Sequence, residues 1–557
     1  MKKIYLLLLF LFSFSVFSQS SYDRIWAVNS GLISNNFNYS SYLVNDTDLY
    51  YPSDNKIVYY DLQNTTPIEF ATLGTATTTK IDELHRDAQG NFYASGKTSE
   101  IQNFTTANVY KPTFDPIQNV ESGTNDFLAK FDANGGLVFC TYTDILEQGG
   151  MAKKVTTTDA LGNIYFIAYL PITETLPNAP FQTSVTSAEA FVDDSKAPII
   201  TKLNSNGQLL WKTFFCHHRT FIQNINVVNN QLVIAGQMNK NTGFEMTNPT
   251  FFSTPGALLE NVGNLNGSKT FVNVFNEDGT RAWGTYLSTT FIHGLRTFGN
   301  AIYVLHQGSG LTATEGAYFG TPKTNVLTKL SNTGTRLWSN YTDEQNFNLD
   351  LSGNVFLFGA TQQTTGIATA DAYQVTKNPT NINGLGINFD GYHQILSQNG
   401  TNLLYGTYYG LQGQDGTSMI IPRNTGYISL GYINNYLSPT DFITQGNPLT
   451  TSENYSNYGG LIISLFDKTP LATDTFQLEN VKVYPNPTIN YLVIENLDGF
   501  STNDTIEIYN MLGQKIQQQN NLSETTIEIN TKNWSSGVYI VNVQSNGKVG
   551  SYKVVKK

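Results

Sequence analysis

Histidines, cysteines and a few short Asp/Asn-Gly segments are the residues of this chain whose types could hold a metal or move a proton. His217 and His218 are adjacent, so on a strand their side chains leave on opposite faces and cannot chelate together. No His-Glu-x-x-His and no paired-cysteine spacing occurs. His85, His293 and His306 sit at or near one hairpin of a repeated unit and could approach a common channel; they read as scattered structural histidines. Cys140 and Cys216 fall in or just after the same strand of neighbouring units, but their offset along the unit opposes a disulfide. Asp132-Ala133-Asn134-Gly135 and Asn276-Glu277-Asp278-Gly279 present oxygens at short spacing. A calcium loop needs more ligands, with a bidentate carboxylate further on, and here strand residues follow, so both read as turns. No Gly-x-Ser-x-Gly and no phosphate loop is present. Paired carboxylates for glycoside cleavage cannot be picked out before the face they share is known. The sequence therefore assigns no catalytic, metal or cofactor residue and names no binding residue.

The elements that must position these groups repeat. Phe127–Asp132, Ile200–Leu203, Val272–Phe275, Leu327–Leu330 and His393–Leu396 are each followed by a Gly-bearing turn. A strand with an aromatic at a fixed place comes next: Phe139, Trp211, Trp283, Trp338 and Tyr405, with Phe70 as a degenerate copy. Glycine suits the positive φ of such hairpins. A second hairpin completes each unit, as in Asp87–Gly96, Asp159–Phe166, Val228–Gly236, Gly299–Val304, Leu351–Gly359 and Arg423–Ser429. Four strands per unit is one propeller blade. Gly460–Asp467 is a first strand without a second, and Arg24–Val28 a second without a first. Together they complete a blade shared between the chain ends, which protects sheet edges. The count is seven blades, with six or eight left open by the weak first copy.

Composition agrees. Aromatics and charged residues each make up 13% of the 557 residues, with 46 Gly. Disordered chains are richer in charge and poorer in aromatics, and helical or coiled-coil chains are rich in Ala, Glu, Lys and Leu. A net charge of −11 opposes wrapping a nucleic-acid backbone. Lys2-Lys3, the apolar stretch Ile4–Phe12 and the small residues Val16 and Ser18 form a signal-peptide pattern over 1–18, too short to span a bilayer. No other run is long enough, so no membrane span is expected in the mature protein. Near 475 the composition changes. Tyr484-Pro485-Asn486-Pro487, Tyr509-Asn510-Met511-Leu512-Gly513, Ser536-Gly537-Val538-Tyr539 and a lysine-ended last strand follow in order. Alternating runs between them suit a small Ig-like β-sandwich of roughly seven strands.

These C-terminal motifs resemble the type A C-terminal sorting domain of the type IX secretion system of Bacteroidetes. The resemblance implies a cargo that leaves through the outer membrane and partners the type IX machinery through this domain, which in the family is usually removed. The repeats resemble bacterial β-propeller repeats of surface proteins, through Gly316-Ala317-Tyr318, Asp371-Ala372-Tyr373, Glu189-Ala190-Phe191 and Pro255-Gly256-Ala257. That family carries no single activity. The expected organisation is all-β: signal 1–18, propeller 19–470, linker 471–480 and sorting domain 481–557.

Long insertions recur at 101–126, 171–198, 238–269, 309–325, 361–391 and 433–459. Insertions at equivalent repeat positions gather on one face, and their Asn, Thr, Tyr and Phe suit contact with sugar or peptide. The expectation is a surface or secreted module, non-catalytic and without cofactor, that binds polysaccharide or protein on this face. An extracellular polysaccharide hydrolase or lyase working at the channel mouth is the alternative, and a structural role in adhesion a third.

Overall fold

The computed structural model describes residues 22–29, 43–44, 48–61, 67–116, 118, 123–146, 156–186, 196–217, 219–240, 248–261, 267–287, 290–308, 311–378, 389–410, 413–435, 461–468, 478, 480–510, 513–520, 522–545 and 548–557. The expected leader 1–18, most of the linker 471–480 and most of the insertion 433–459 lie outside the described residues, as does the side chain of Trp26. The regular elements described are all strands, paired into antiparallel sheets. The chain divides into two compact units, Met1–Lys468 and Thr469–Lys557.

The larger unit contains seven sheets among its described residues. The first holds Leu43–Val44, Asp48–Ser53, Lys56–Asp61 and Pro67–Thr72; the second Thr79–Arg86, Phe92–Thr98, Asn125–Phe131 and Leu137–Tyr142. In the third, Ile145–Leu146 and Thr156–Thr158 both pair with Ile164–Pro171, and Lys196–Leu203 and Leu209–Phe214 follow. The fourth is Arg219–Val228, Gln231–Lys240, Gly267–Phe275 and Arg281–Tyr286; the fifth Phe291–Phe298, Ala301–Gln307, Asn325–Ser331 and Arg336–Thr342. The sixth is Phe347–Leu349, Val355–Thr361, Asp390–Leu396 and Leu403–Tyr409. The seventh runs Gly413–Pro422, Gly426–Asn435, Leu461–Lys468 and then Tyr22–Asn29, so its last strand comes from the other end of the unit. Tyr22 pairs with Lys468 and Asn29 with Ile462.

The strands group differently from the repeat expected from the sequence. That repeat joins the lysine-strand hairpin to the hairpin that follows it. In the structure the hairpin that the sequence placed second, with its Asp-x-x-Gly-Asn turn in the second, third and sixth sheets, comes first in each sheet, and the next lysine-strand hairpin comes second. Thr98 pairs with Asn125 and Phe92 with Phe131 across the long insertion. The short connections, such as 287–290, cross between sheets instead. Sequence proximity favours the short link as the within-sheet one, and backbone register reverses that.

Successive sheets are latched by the recurring aromatic. Trp211 Nε1 donates to Glu277 O at 2.9 Å, Trp283 Nε1 to Asn332 O at 2.7 Å and Trp338 Nε1 to Gln398 O at 3.1 Å. Each acceptor lies in the turn between the third and fourth strands of the next sheet. Tyr405 OH reaches Tyr22 O in the seventh sheet at 3.4 Å. Phe139 packs so close to the corresponding turn that a Cβ on Gly207 would stand 2.7 Å from its ring. The first strands are joined as well. His85 Nε2 lies 2.8 Å from Thr158 Oγ1, Thr297 Oγ1 donates to Val227 O at 2.9 Å, and Asn348 Nδ2 donates to Ile420 O at 3.0 Å. Between these rows the sheets share buried apolar clusters, for example Phe215, Phe252, Phe271 and Phe275. Each such side chain contributes about 1.5–3 kcal/mol by burial.

The smaller unit has seven strands in two sheets. Val481–Tyr484, Tyr491–Asn496 and Thr526–Asn530 form one; Lys515–Gln519, Thr505–Asn510, Gly537–Ser545 and Lys548–Lys556 form the other. Leu492, Ile494 and Ile529 of the first and Ile506, Ile508, Val541 and Val554 of the second share one buried core. The motif residues do structural work. Asn486 Nδ2 donates to Lys553 O at 2.7 Å and its Oδ1 accepts from Val555 N at 2.9 Å, so this side chain pairs with the last strand as a backbone would. Asn510 Oδ1 accepts from Gln514 N at 3.0 Å and closes the turn through Gly513.

Candidate functional site

The Asp/Asn-Gly segments are turns whose oxygens are already used. Asp132 Oδ1 accepts from Asn134 N at 2.8 Å and from Gly136 N at 2.9 Å. Asp278 Oδ1 accepts from Thr280 N at 2.9 Å. Asp87, Asp159 and Asp350 make the same turn. Cys140 and Cys216 are buried thiols outside any disulfide, and burial pushes the Cys140 thiol up.

A trio of lysine, tyrosine and aspartate could be mistaken for a proton-transfer centre. Lys202 Nζ sits 4.9 Å from the Tyr165 ring centre and 3.8 Å from Asp159 Oδ2, and Tyr165 OH donates to that oxygen at 3.2 Å. Lys202 also donates to Glu277 O at 3.0 Å, the carbonyl that receives Trp211. The pattern recurs at Lys130 with Tyr93, reaching Ser205 O, and at Lys329 with Tyr303, reaching Gln398 O. Burial lowers all three lysine pKa values. Repetition in three sheets, each time spent on the next sheet's turn, identifies this as architecture. It also accounts for the lysine of the repeat.

The histidines do not form one cluster: His293 and His306 are neighbours on paired strands of the fifth sheet, while His85 and His393 belong to the second and sixth sheets. His85 lies on the second sheet against Thr158 of the third. His293 Nε2 lies 3.2 Å from Asn325 Oδ1, and His306 Nε2 lies 3.0 Å from Thr328 Oγ1. His217 is buried and packs on Phe251 at 5.0 Å; His218 lies outside the described residues. His393, which the sequence marks only as the start of a repeat strand, is fully buried among Tyr427 OH at 3.0 Å, Thr417 Oγ1 at 2.9 Å and Ser429 Oγ at 3.1 Å. Desolvation lowers the pKa of both His306 and His393 to about 3, so both are neutral. Among the described residues no three of His, Cys, Asp and Glu gather as metal ligands.

The long insertions run along the outer strands. Thr106 N donates to Cys140 O at 2.9 Å, Thr254 N to Gly284 O at 3.0 Å, Thr314 N to Ser339 O at 3.0 Å and Thr369 N to Gly406 O at 2.8 Å. They cover the fourth-strand edges, which would otherwise invite pairing with other chains. Their rings turn inward: Phe104 and Phe252 are buried, Phe181 and Phe251 are packed against the core, and Tyr110 OH donates to Asp144 Oδ2 at 2.6 Å. Only Tyr318 and Tyr373, at 45% and 39%, stand well exposed among the described insertion aromatics. The described parts of these segments therefore do not build an aromatic platform.

The first strands differ in length. They run eight residues in the second and fifth sheets and ten in the fourth and seventh. The third sheet splits the place between Ile145–Leu146 and Thr156–Thr158, the first sheet has Leu43–Val44 among its described residues, and the sixth has only Phe347–Leu349. Its second strand continues to Thr361. Phe358–Thr361 pair with Asp390–His393 on one side and, among the described residues, with no strand on the other. The gap is a cavity of about 600 Å³, lined by Glu344, Phe358, Thr361, Gln363, Tyr392 and Gln394 among others. That volume is within the usual range of ligand sites, about 300–1,000 Å³. At its mouth Lys323 Nζ and Asp343 Oδ2 are 3.2 Å apart. Glu344 Oε2 lies over Gly359, where a Cβ would collide with it. Desolvation raises the Glu344 carboxyl to about 8, with Asp343 adding to the rise and Lys323 opposing it. At neutral pH the group is a protonated donor. A signal for this site was present in spacing: Trp338 and Asp350 are 12 residues apart, where the corresponding interval elsewhere is 16–20.

Residues 482–557 match the family described as the secretion system C-terminal sorting domain. The chain is therefore a cargo of the type IX secretion route, sent out of the cell to the surface or the extracellular space. A 91-residue stretch is 37% identical to ulvan lyase NLR42 of Nonlabens ulvanivorans, covering 16% of each chain. The chain thus spans about a sixth of that relative's length. Among solved structures, PorZ, a surface component of the type-IX secretion system of Porphyromonas gingivalis, aligns over 93% of this chain and 75% of its own at 12% identity and a TM-score of 0.19. A PL25 ulvan lyase bound to a GlcA–Rha3S saccharide aligns over 73% of this chain and 92% of its own at 9% identity and a TM-score of 0.34. Scores this low carry no structural argument.

Proposed function

We propose that the seven sheets of the larger unit close into a seven-bladed β-propeller and that the exported protein is a non-catalytic binding module for an extracellular polymer, polysaccharide or protein. The ring is supported by the sheet-to-sheet latches and by the strand from Tyr22–Asn29 completing the seventh sheet. One observation carries the binding role: the cavity opened where the sixth sheet's first strand is cut short. Its lining of amides, rings and a protonated carboxyl offers hydrogen bonds and apolar contact without net charge, which suits an uncharged stretch of polymer. The expected domain limits, 19–470 and 481–557, belong to this reading.

Removing residues 482–557 is the test of the export half. The truncated protein is expected to fold and remain in the periplasm; its appearance on the cell surface would refute the sorting role. Binding is tested by adding immobilised extracellular glycans and peptides to the purified larger unit with the smaller one attached. The 37% identity to an ulvan lyase over a sixth of the chain favours one rival, cleavage of an acidic polysaccharide by β-elimination. New ultraviolet absorbance from an unsaturated product on incubation with ulvan would replace the non-catalytic reading.

A further inference from the structure

The cavity of the sixth sheet has a shape that its sister sheets explain. In the second, fourth and seventh sheets the second strand carries a glycine at one position: Gly96, Gly236 and Gly431. There the first strand passes so close that Lys80 O, Phe221 O or Gly416 O would collide with a Cβ. Thr98, Asn239 and Asn435 beyond it pair with Thr79, Arg219 and Gly413. The sixth sheet keeps the glycine, Gly359, and keeps the second strand to Thr361, but among the described residues lacks the strand that should lie beside them. What is missing is the length of backbone that fills this place in three other sheets.

We infer that the cavity beside Phe358–Thr361 receives an extended, uncharged segment of another polypeptide as an added strand, completing the first strand of the sixth sheet. This deepens the proposed binding role and rests on it. A strand advances about 3.3 Å per residue, so roughly four residues span Phe358–Thr361. Backbone groups of alternate residues face the gap, so the added strand takes main-chain hydrogen bonds there, and side-chain pockets select its sequence. The end of the Glu344 side chain lies where the sister sheets place a first-strand carbonyl, so the added strand displaces it; with its carboxyl raised to about 8, the displaced group is a donor at neutral pH and suits a peptide carbonyl. Lys323 and Asp343, the charged groups acting on it, pair with each other at the rim. That leaves no unbalanced charge to recruit an acidic or basic segment.

The experiment uses the whole exported chain and a displayed library of unstructured decapeptides, with a panel of soluble extracellular polysaccharides alongside. Enrichment of uncharged, β-prone peptides is expected. In hydrogen exchange, the gap-facing amides among 358–361 should exchange faster than the corresponding amides of 236–239 in the free protein, and at least tenfold more slowly with an enriched peptide bound. Gly359→Val puts a side chain into the gap, and the Glu344 carboxyl end can swing aside. It should weaken peptide binding at least tenfold. Asn346→Trp, at an exposed rim position, is a second blocker should the first disturb folding. Polysaccharide binding that protects 358–361, without peptide binding, would overturn the strand inference and leave the binding module standing. No binding by either, with 358–361 already protected in the free protein, would overturn both.

Discussion

At the scale of single residues, two kinds of neutral group oppose each other in pH. The His306 and His393 rings have pKa values of about 3 in the fold against 6.5 outside it. Between those values the unfolded chain binds protons that the folded one refuses, so stability falls as pH drops from 6.5 towards 3. Glu344 works the other way. Its carboxyl titrates at about 8 in the fold against an ordinary 4.5, so the folded state holds a proton that the unfolded state has lost. Stability therefore falls as pH rises from 4.5 towards 8. Denaturation midpoints of the chain across this range should show both limbs. Glu344→Gln, which keeps a neutral side chain of the same shape, should flatten the alkaline limb and leave the acid limb unchanged. An unchanged alkaline slope in that variant would mean that Glu344 is ionised in the fold. These residues differ in how far the sequence exposed them. Turn oxygens at Asp132 and Asp278 were legible because Asx turns are local. His393 was not, because its partners Thr417, Ser429 and Tyr427 come from a neighbouring sheet. Glu344 announced itself only as four or more residues missing from an interval.

At the scale of elements, the latch between sheets is the repeated device. One turn carbonyl receives two donors from the preceding sheet, as Gln398 O does from Trp338 Nε1 and Lys329 Nζ. The two donors cooperate geometrically: the lysine stem crosses the tyrosine ring of its own sheet while the indole covers the neighbour's turn. Trp338 is only 7% exposed. Trp338→Phe keeps most of the apolar contact, and Gln398 O keeps its lysine, so the expected loss is about 1 kcal/mol. Trp338→Ala leaves a cavity between the fifth and sixth sheets and should cost about 3–5 kcal/mol. Urea unfolding followed by far-ultraviolet dichroism, a signal that does not depend on the tryptophan, separates the two. Equal losses would show that the indole N–H, not the packing, joins the sheets. The sequence showed this aromatic, its glycine turn and its lysine at constant places, because all three belong to short hairpins. It did not show which hairpins share a sheet. That depends on register across the long insertions, and nothing local records it.

At the scale of the larger unit, the seventh sheet decides whether the series of sheets is closed. Three of its strands come from 413–468 and the fourth from 22–29. Tyr22 is buried, its ring 4.8 Å from Tyr405 of the sixth sheet and 5.2 Å from Tyr427 of the seventh. Arg24 lies 5.3 Å from the Tyr373 ring centre, so the N-terminal strand also meets the insertion that lines the sixth sheet's outer edge. Removing Tyr22–Asn29 strips the seventh sheet of an outer strand and exposes the Leu461–Lys468 edge, a template for pairing with other chains. In a closed ring every sheet would feel that loss, because each one's latch depends on the next. In an open row only the sixth and seventh sheets would. The deletion should therefore lower the single melting transition of the larger unit by on the order of 10 °C, with aggregation on heating. Hydrogen exchange supplies the discriminating reading. Faster exchange in the second and third sheets, remote in sequence from the cut, supports the ring, and faster exchange confined to 347–468 would leave the sheets as an open row.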